Sequence, residues 1–417
     1  MKTAFAALIQ PHRKKHLPPS ATLTQAATLP RVDARAAATI SVETVGAARL
    51  ADIQSEWRDL VARADVANVF MHPVLIALGA RYPNARSMTL LAWRDHGGQR
   101  QLVGLWAFNI GRAPRSIIPI SVLAAAPFAH AYFAAPVIDR DALDETLAAM
   151  LERIAADPAL PKILALDGMR VGSATMQALN RVLDARGSAP SILRRSARPV
   201  LACKHDAALS MDKILSASTR KKLRQSRRRL AEKGALETKT IVEPAAVGQA
   251  VEDFLKLEAA GWKGRERSAL LCNPPDATFT REMIAALAPH GEAWIQALTL
   301  DGAPVSMQIV LRAGTTAFTW KTAYDERLRD FSPGMLLLED YTAAFLSDPR
   351  IESVDSCAYD ESSFMAVWDG REAMAELWLD ARRGGSAAFA HLSRLQDIYL
   401  RLRRQAKAAH ARLRRHG

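Results

Sequence analysis

Trp294-Ile-Gln-Ala-Leu-Thr-Leu300, Asp301-Gly302, Val305-Ser-Met-Gln-Ile-Val-Leu311, Ala313-Gly314 and Thr316-Ala-Phe-Thr-Trp320, followed by Ser332-Pro333-Gly334, set the architecture of the 417-residue chain. Val305, Met307, Ile309 and Leu311 alternate with Ser306, Gln308 and Val310, the period-2 pattern of a strand with one buried face. Asp301-Gly302 tolerates the positive φ of a tight hairpin, and Ala313-Gly314 turns the chain again. Three antiparallel strands are therefore predicted. Pro333 has no N–H to donate and suits the first turn of a helix, in which Leu337, Tyr341, Ala344 and Phe345 share one face. Such a helix, opening on Ser-Pro-Gly, offers unpaired amides and the positive end of its dipole, with little side chain in the way of an anion such as a pyrophosphate. Ile351-Glu-Ser-Val-Asp-Ser356 reads as a short strand returning parallel to the third.

Around this stretch, composition sets bounds. Hydrophobic residues make up 49% of the chain, which suits two or three domains with cores of their own. No run of eighteen apolar residues suggests a membrane span. Residues 1–39, rich in Ala, Thr and Pro and without a cleavage-site pattern, read as a disordered leader and not as a secretory signal. Cys203, Cys272 and Cys357 are too few and too scattered for a disulfide framework or a zinc site, which points to no metal and a reducing cytoplasm. The net charge of +13 is concentrated in two segments, Ser218 to Lys233 and Leu392 to Arg415, each at +7. The remainder is close to neutral.

Upstream, a strand at Ile40 to Val45, helical spacing from Leu50 to Val61, and a short helix ending at Ala80 precede a hairpin through His96-Gly97-Gly98. A helix from Leu143 to Ala155 and a parallel strand at Lys162 to Asp167 follow. This order loosely repeats that of the later segment and predicts two similar halves. The predicted organisation is a leader (1–39), a first half (40–205), a second half (206–390) and a basic amphipathic helix (391–417). His72 and His130 have no partner at triad or metal-ligand spacing and read as structural.

Three local patterns carry a family resemblance. They are Leu257-Glu258-Ala-Ala-Gly-Trp262-Lys263-Gly264-Arg265, then Tyr324-Asp325 leading to Ser332-Pro333-Gly334, then Asp355-Ser356-Cys357 ahead of Trp368. Together, over roughly residues 210 to 385, they resemble the CelD/BcsL branch of the GNAT acetyltransferases, relatives of the FemAB peptidyltransferases. The resemblance implies an α/β (α+β mixed-sheet) tandem GNAT-like fold and an N-acyltransferase. Acetyl-CoA or another acyl-CoA would be the co-substrate, and an amine tied to polysaccharide or envelope precursors the acceptor. Tyr359-Asp360-Glu361 departs from the Tyr-Lys pair of the FemAB pattern, which counts against aminoacyl-tRNA as donor.

Acyl transfer to an amine requires a base, a dipole at the carbonyl oxygen and an acid for the leaving thiolate. The resemblance implies the dipole in the third strand, near Trp320 to Ala323. The base is assigned to Asp325, at the end of that strand, with Glu258 second, and the resemblance implies an acid at Tyr359. Asp325 would equally serve to fix the turn before the helix. The co-substrate is assigned to Trp320, Lys321, Ser332, Pro333, Gly334 and Met335. Acceptor binding falls to Trp262, Lys263, Arg265 and Tyr324, together with Arg220, Lys221 and Arg224 of the basic helix. A solvated helix without a specific partner, and a Trp262 packed on the core, are the plainer readings. No aromatic residue interleaves the charges from Ser218 to Lys233, which argues against nucleic acid.

Leu392, Leu395, Ile398 and Leu402 share a face of the last helix, beside arginines, so it predicts docking on an anionic membrane surface or on the protein's own body. The alternatives to an acyl-CoA enzyme are a non-catalytic anion- or membrane-binding module and a FemAB-like aminoacyl-tRNA transferase.

Overall fold

A computed structural model of the chain describes residues 39–116, 118–203, 214–358 and 364–416. Tyr359 and the 1–38 portion of the leader lie outside them. Thirteen strands are described: β1 (Ile40–Val45), β2 (Ser87–His96), β3 (Gln99–Arg112), β4 (Ser121–Ala124), β5 (Val137–Ile138), β6 (Ile163–Arg170), β7 (Ser191–Ala202), β8 (Leu236–Ile241), β9 (Ala293–Leu300), β10 (Ala303–Ala313), β11 (Thr316–Tyr324), β12 (Ser353–Asp355) and β13 (Gly370–Asp380). They form one mixed sheet in the order β1-β2-β3-β4-β6-β13-β7-β12-β11-β10-β9-β8, with β5 on β3.

The predicted meander is present, and its turn residues Asp301, Gly302 and Gly314 all have positive φ. β12 pairs in parallel with β11, as β6 does with β4, so each half contains a parallel pair bridged by a helix. The centre of the sheet exchanges strands. β13, from the end of the chain, lies between β6 and β7 of the first half, and β7 in turn pairs with β12 of the second.

Both faces of the sheet are covered, which corrects the one-sided reading of β10. Met307, Ile309 and Leu311 enter a large core shared with the Pro244–Ala260 and Pro274–Leu287 helices. On the opposite face, Val305 and Val310 pack with Leu336, Leu337 and Tyr341 of the Pro333–Ser347 helix. Ser306 and Gln308 are buried as well, and the Gln308 amide donates to the carbonyls of Ile309 and Lys321. Covering the second face removes water from these polar side chains, so they must bond to backbone.

Helix starts follow a capping serine or first-turn prolines and not the charge or apolar pattern. The basic helix runs Ala217–Ala231, with Ser216 and not Ser218 as its N-cap. The helix that leads into Trp262 begins at Pro244, where proline suits the first turn. Asn273-Pro-Pro275, a pattern that resembles a loop signal, opens the Pro274–Leu287 helix for the same reason. The last helix, Ala387–His416, docks on the body through Phe389 and Leu400 with Leu392 alongside, whereas Leu395, Ile398 and Leu402 stay exposed. Leu392 therefore belongs to a different face from the other three. Among the described residues, no helix is long and apolar enough to cross a membrane.

Candidate active site

Because β12 is three residues long, it pairs with β11 only from Thr316 to Phe318. Beyond that point no strand among the described residues lies beside β11 on this side. A register shift opposite Ile309 and Val310 leaves Trp320 as an extra, bulged residue. Asp325 N–H donates to the Val305 carbonyl at 2.9 Å, and antiparallel alternation then turns the backbone of Lys321 and Ala323 toward β10 and that of Thr322 and Tyr324 outward. The Thr322 carbonyl accepts from Lys263 Nζ at 2.8 Å, as this geometry requires.

The outward end of β11 borders a cleft of about 390 Å³. Thr322, Ala323 and Tyr324 form one wall and Leu257, Glu258 and Trp262-Lys263 another, while the opening of the Pro333–Ser347 helix, Ser332 to Met335, closes the third. Ser332 adopts a left-handed backbone (φ 53°), and among the described residues no side chain caps this helix. A Cβ placed at Gly334 would meet only Tyr324 Cδ1 at 4.0 Å, so the glycine leaves open space over the first-turn amides. Arg329 also lines the cleft, which adds a cation at the helix opening. These features fit a phosphate-bearing ligand.

The second wall is held in place by charge. Glu258 is buried, with Lys263 Nζ at 2.7 Å on one oxygen and the Leu270 amide at 2.8 Å on the other. Trp262 to Arg265 form a single helical turn, which Glu326 clamps by accepting from the Trp262 amide and the Arg265 guanidinium, each at 2.6 Å. The Arg265 hydrogen bond lowers the Glu326 carboxyl below its usual range. Trp262 is 45% exposed, which excludes the core-packing reading.

The cleft thus gathers Glu258, Trp262, Lys263, Tyr324, Ser332, Pro333, Gly334 and Met335. The other assigned residues among those described do not line it. Asp325 caps the Glu326–Phe331 turn by accepting from the Arg327 amide, and the Arg327 guanidinium binds both its oxygens and pulls its carboxyl down. Trp320 and Lys321 face the first half. Trp320 Nε1 donates to the His130 carbonyl, and Lys321 Nζ donates to Tyr132 Oη at 2.8 Å and lies 3.2 Å from His130 Nδ1. Burial lowers the affinity of both Lys321 and His130 for a proton. On the basic helix, Arg220 Nε donates to the Leu215 carbonyl, and Lys221 and Arg224 are exposed.

Sequence reasoning missed several partners. Arg227, rather than Arg220 or Arg224, ties the basic helix to the Pro333–Ser347 helix through Asp340 at 2.6 Å and Glu339 at 3.1 Å. Arg229 and Lys233 lie over the Phe331 ring, just before Ser332. His130 meets Asp276 at 3.2 Å and His72 meets Glu292 at 3.3 Å, so these two histidines of the first half each find a carboxylate in the second. No local spacing could have signalled these pairs. Cys357 is buried, which raises its thiol well above the ordinary range and makes a covalent role unfavourable.

Residues 217–362 match the acetyltransferase (GNAT) domain family. No curated protein sequence matches the chain. Among solved structures, FemX superposes with a TM-score of 0.55 at 12% identity, over 81% of this chain and 96% of that one. A C-terminal DUF2156 domain from Agrobacterium fabrum gives 0.48 at 14% identity, over 84% and 97%. A tandem GNAT protein from the clavulanic acid biosynthesis pathway gives 0.43 at 14% identity, over 84% and 100%. Such identities compare folds. Residues 217–362 thus lie in a GNAT-like fold, within a larger mixed α/β sheet.

Proposed function

We propose that the chain is an acyl-CoA-dependent N-acyltransferase of the CelD/BcsL type, acting on an amine tied to polysaccharide or cell-envelope precursors. The observation that carries this reading is the cleft itself, in which an uncapped helix opening, the open space at Gly334 and the free end of β11 meet. Acyl-CoA brings the activated thioester. Ser332 to Met335 and Arg329 hold its phosphates through amides and charge. The outward amides of Thr322 and Tyr324 polarise the carbonyl oxygen. Glu258 faces the cleft and retains free lone pairs beside its two donors, so it is the better base, and Asp325 serves the turn. Tyr359 is kept as the acid for the thiolate.

The test is release of free CoA from acetyl-CoA when amino sugars and envelope-precursor amines are offered. Amine-dependent thiol release supports the reading, and bound acetyl-CoA that no amine discharges counts against it. A second donor is favoured by the exposed Lys221 and Arg224 on the basic helix. Transfer from aminoacyl-tRNA predicts tRNA binding that weakens steeply with salt.

A further inference from the structure

The last helix has two faces with different fates. Phe389, Ser393, Gln396 and Leu400 are buried, and Phe389 and Leu400 pack with Leu193 of β7 and Trp378 of β13. Turned away from that seat, Leu395, Ile398 and Leu402 are 44%, 47% and 58% exposed, at the i, i+3, i+7 spacing of one stripe. Arg394 and Arg401 border the stripe. Beside them a groove of about 460 Å³ is lined by Arg194, Arg195, Arg401 and Arg404, with Asp397 the acidic member, and Ile192 of the same groove is 37% exposed. Asp397 is engaged by Arg401 at 2.7 Å.

We infer that this face docks on the surface of an anionic phospholipid bilayer. Each candidate occupant must account for two features at once, an exposed apolar stripe and an excess of cations. A second copy packed on the same face would oppose arginine to arginine. Nucleic acid would satisfy the arginines but leave the leucines and isoleucines in water, and no aromatic side chain of this exposed stripe is available for base stacking. At a bilayer, Leu395, Ile398 and Leu402 enter the acyl boundary and the arginines meet lipid phosphates. The helix is already held on the body through its other face, so docking costs no folding of the segment.

The test is sedimentation of the full-length chain with vesicles of phosphatidylcholine alone and with phosphatidylglycerol added, for the wild type, for the triple variant Leu395→Asn, Ile398→Asn, Leu402→Asn, and for Arg394→Gln, Arg401→Gln, Arg404→Gln. The changed side chains are exposed, and an unchanged thermal melt verifies the fold. Binding is expected only with phosphatidylglycerol, weakened by about fivefold per arginine removed and abolished in the apolar variant. Failure of the wild type to sediment with anionic vesicles would overturn the inference. So would full binding by the apolar variant. Light scattering that shows a dimer lost in that variant would assign the face to a second copy instead.

Discussion

At the scale of single residues, Glu258 and Ser332 make the sharpest predictions. Glu258→Gln removes the carboxylate assigned as base, and kcat is expected to fall by about 100-fold or more while acetyl-CoA affinity changes little. Steady-state kinetics beside a binding titration separates the two effects. Ser332 holds a left-handed backbone that glycine adopts more readily. Ser332→Gly is expected to raise stability by about 1 kcal/mol in urea unfolding. The candidate site was legible where its members are neighbours in sequence, as in Trp262-Lys263 and Ser332 to Met335. It was illegible where partners come from afar. Lys321 reads as a co-substrate residue from its place on β11, and its partners His130 and Tyr132 come from the first half. Asp325 was open to both readings, base and turn residue, and the Arg327 amide takes it up in the turn.

At the scale of elements, the wall that carries Glu258 depends on close backbone approach. A Cβ at Gly264 would lie 1.8 Å from the Ala259 carbonyl oxygen, far inside contact distance. Gly264→Ala is therefore expected to displace the Trp262–Arg265 turn and cost about 2 kcal/mol or more in equilibrium unfolding. The meander, its turns and the Pro333–Ser347 helix were readable because period-2 alternation, Asp-Gly and Ser-Pro-Gly all agree with the final structure. The starts of the Pro244–Ala260 and Pro274–Leu287 helices were obscured because prolines in the first turn resemble loop signals.

At the scale of the whole molecule, the exchanged strands meet at Asp355. Its carboxylate is fully buried between Arg198 of β7, with Nη1 at 3.4 Å, and Arg170 of β6, with Nη2 at 3.3 Å. These guanidinium groups hold its proton affinity below the ordinary carboxylate value despite burial. A carboxylate depressed on folding stabilises above the unfolded pKa, about 4, and that contribution is lost as pH falls through the folded value. Asp355→Asn strands two arginine charges and is expected to cost about 3–5 kcal/mol at neutral pH. Thermal melts across pH should show a smaller acid loss in the variant than in the wild type. The exchange itself was invisible in the sequence, since nothing in β13 names β6 and β7 as its neighbours. Only the repeated order of elements hinted at two halves.

The central claim is that the cleft at the Pro333–Ser347 helix holds an acyl-CoA, and titration calorimetry tests it most directly. Acetyl-CoA is predicted to bind the wild-type chain and to bind Gly334→Glu at least about tenfold more weakly, because the new carboxylate occupies the open space and repels phosphate. Equal affinity in the two proteins, or no heat of binding to the wild type, would contradict the account.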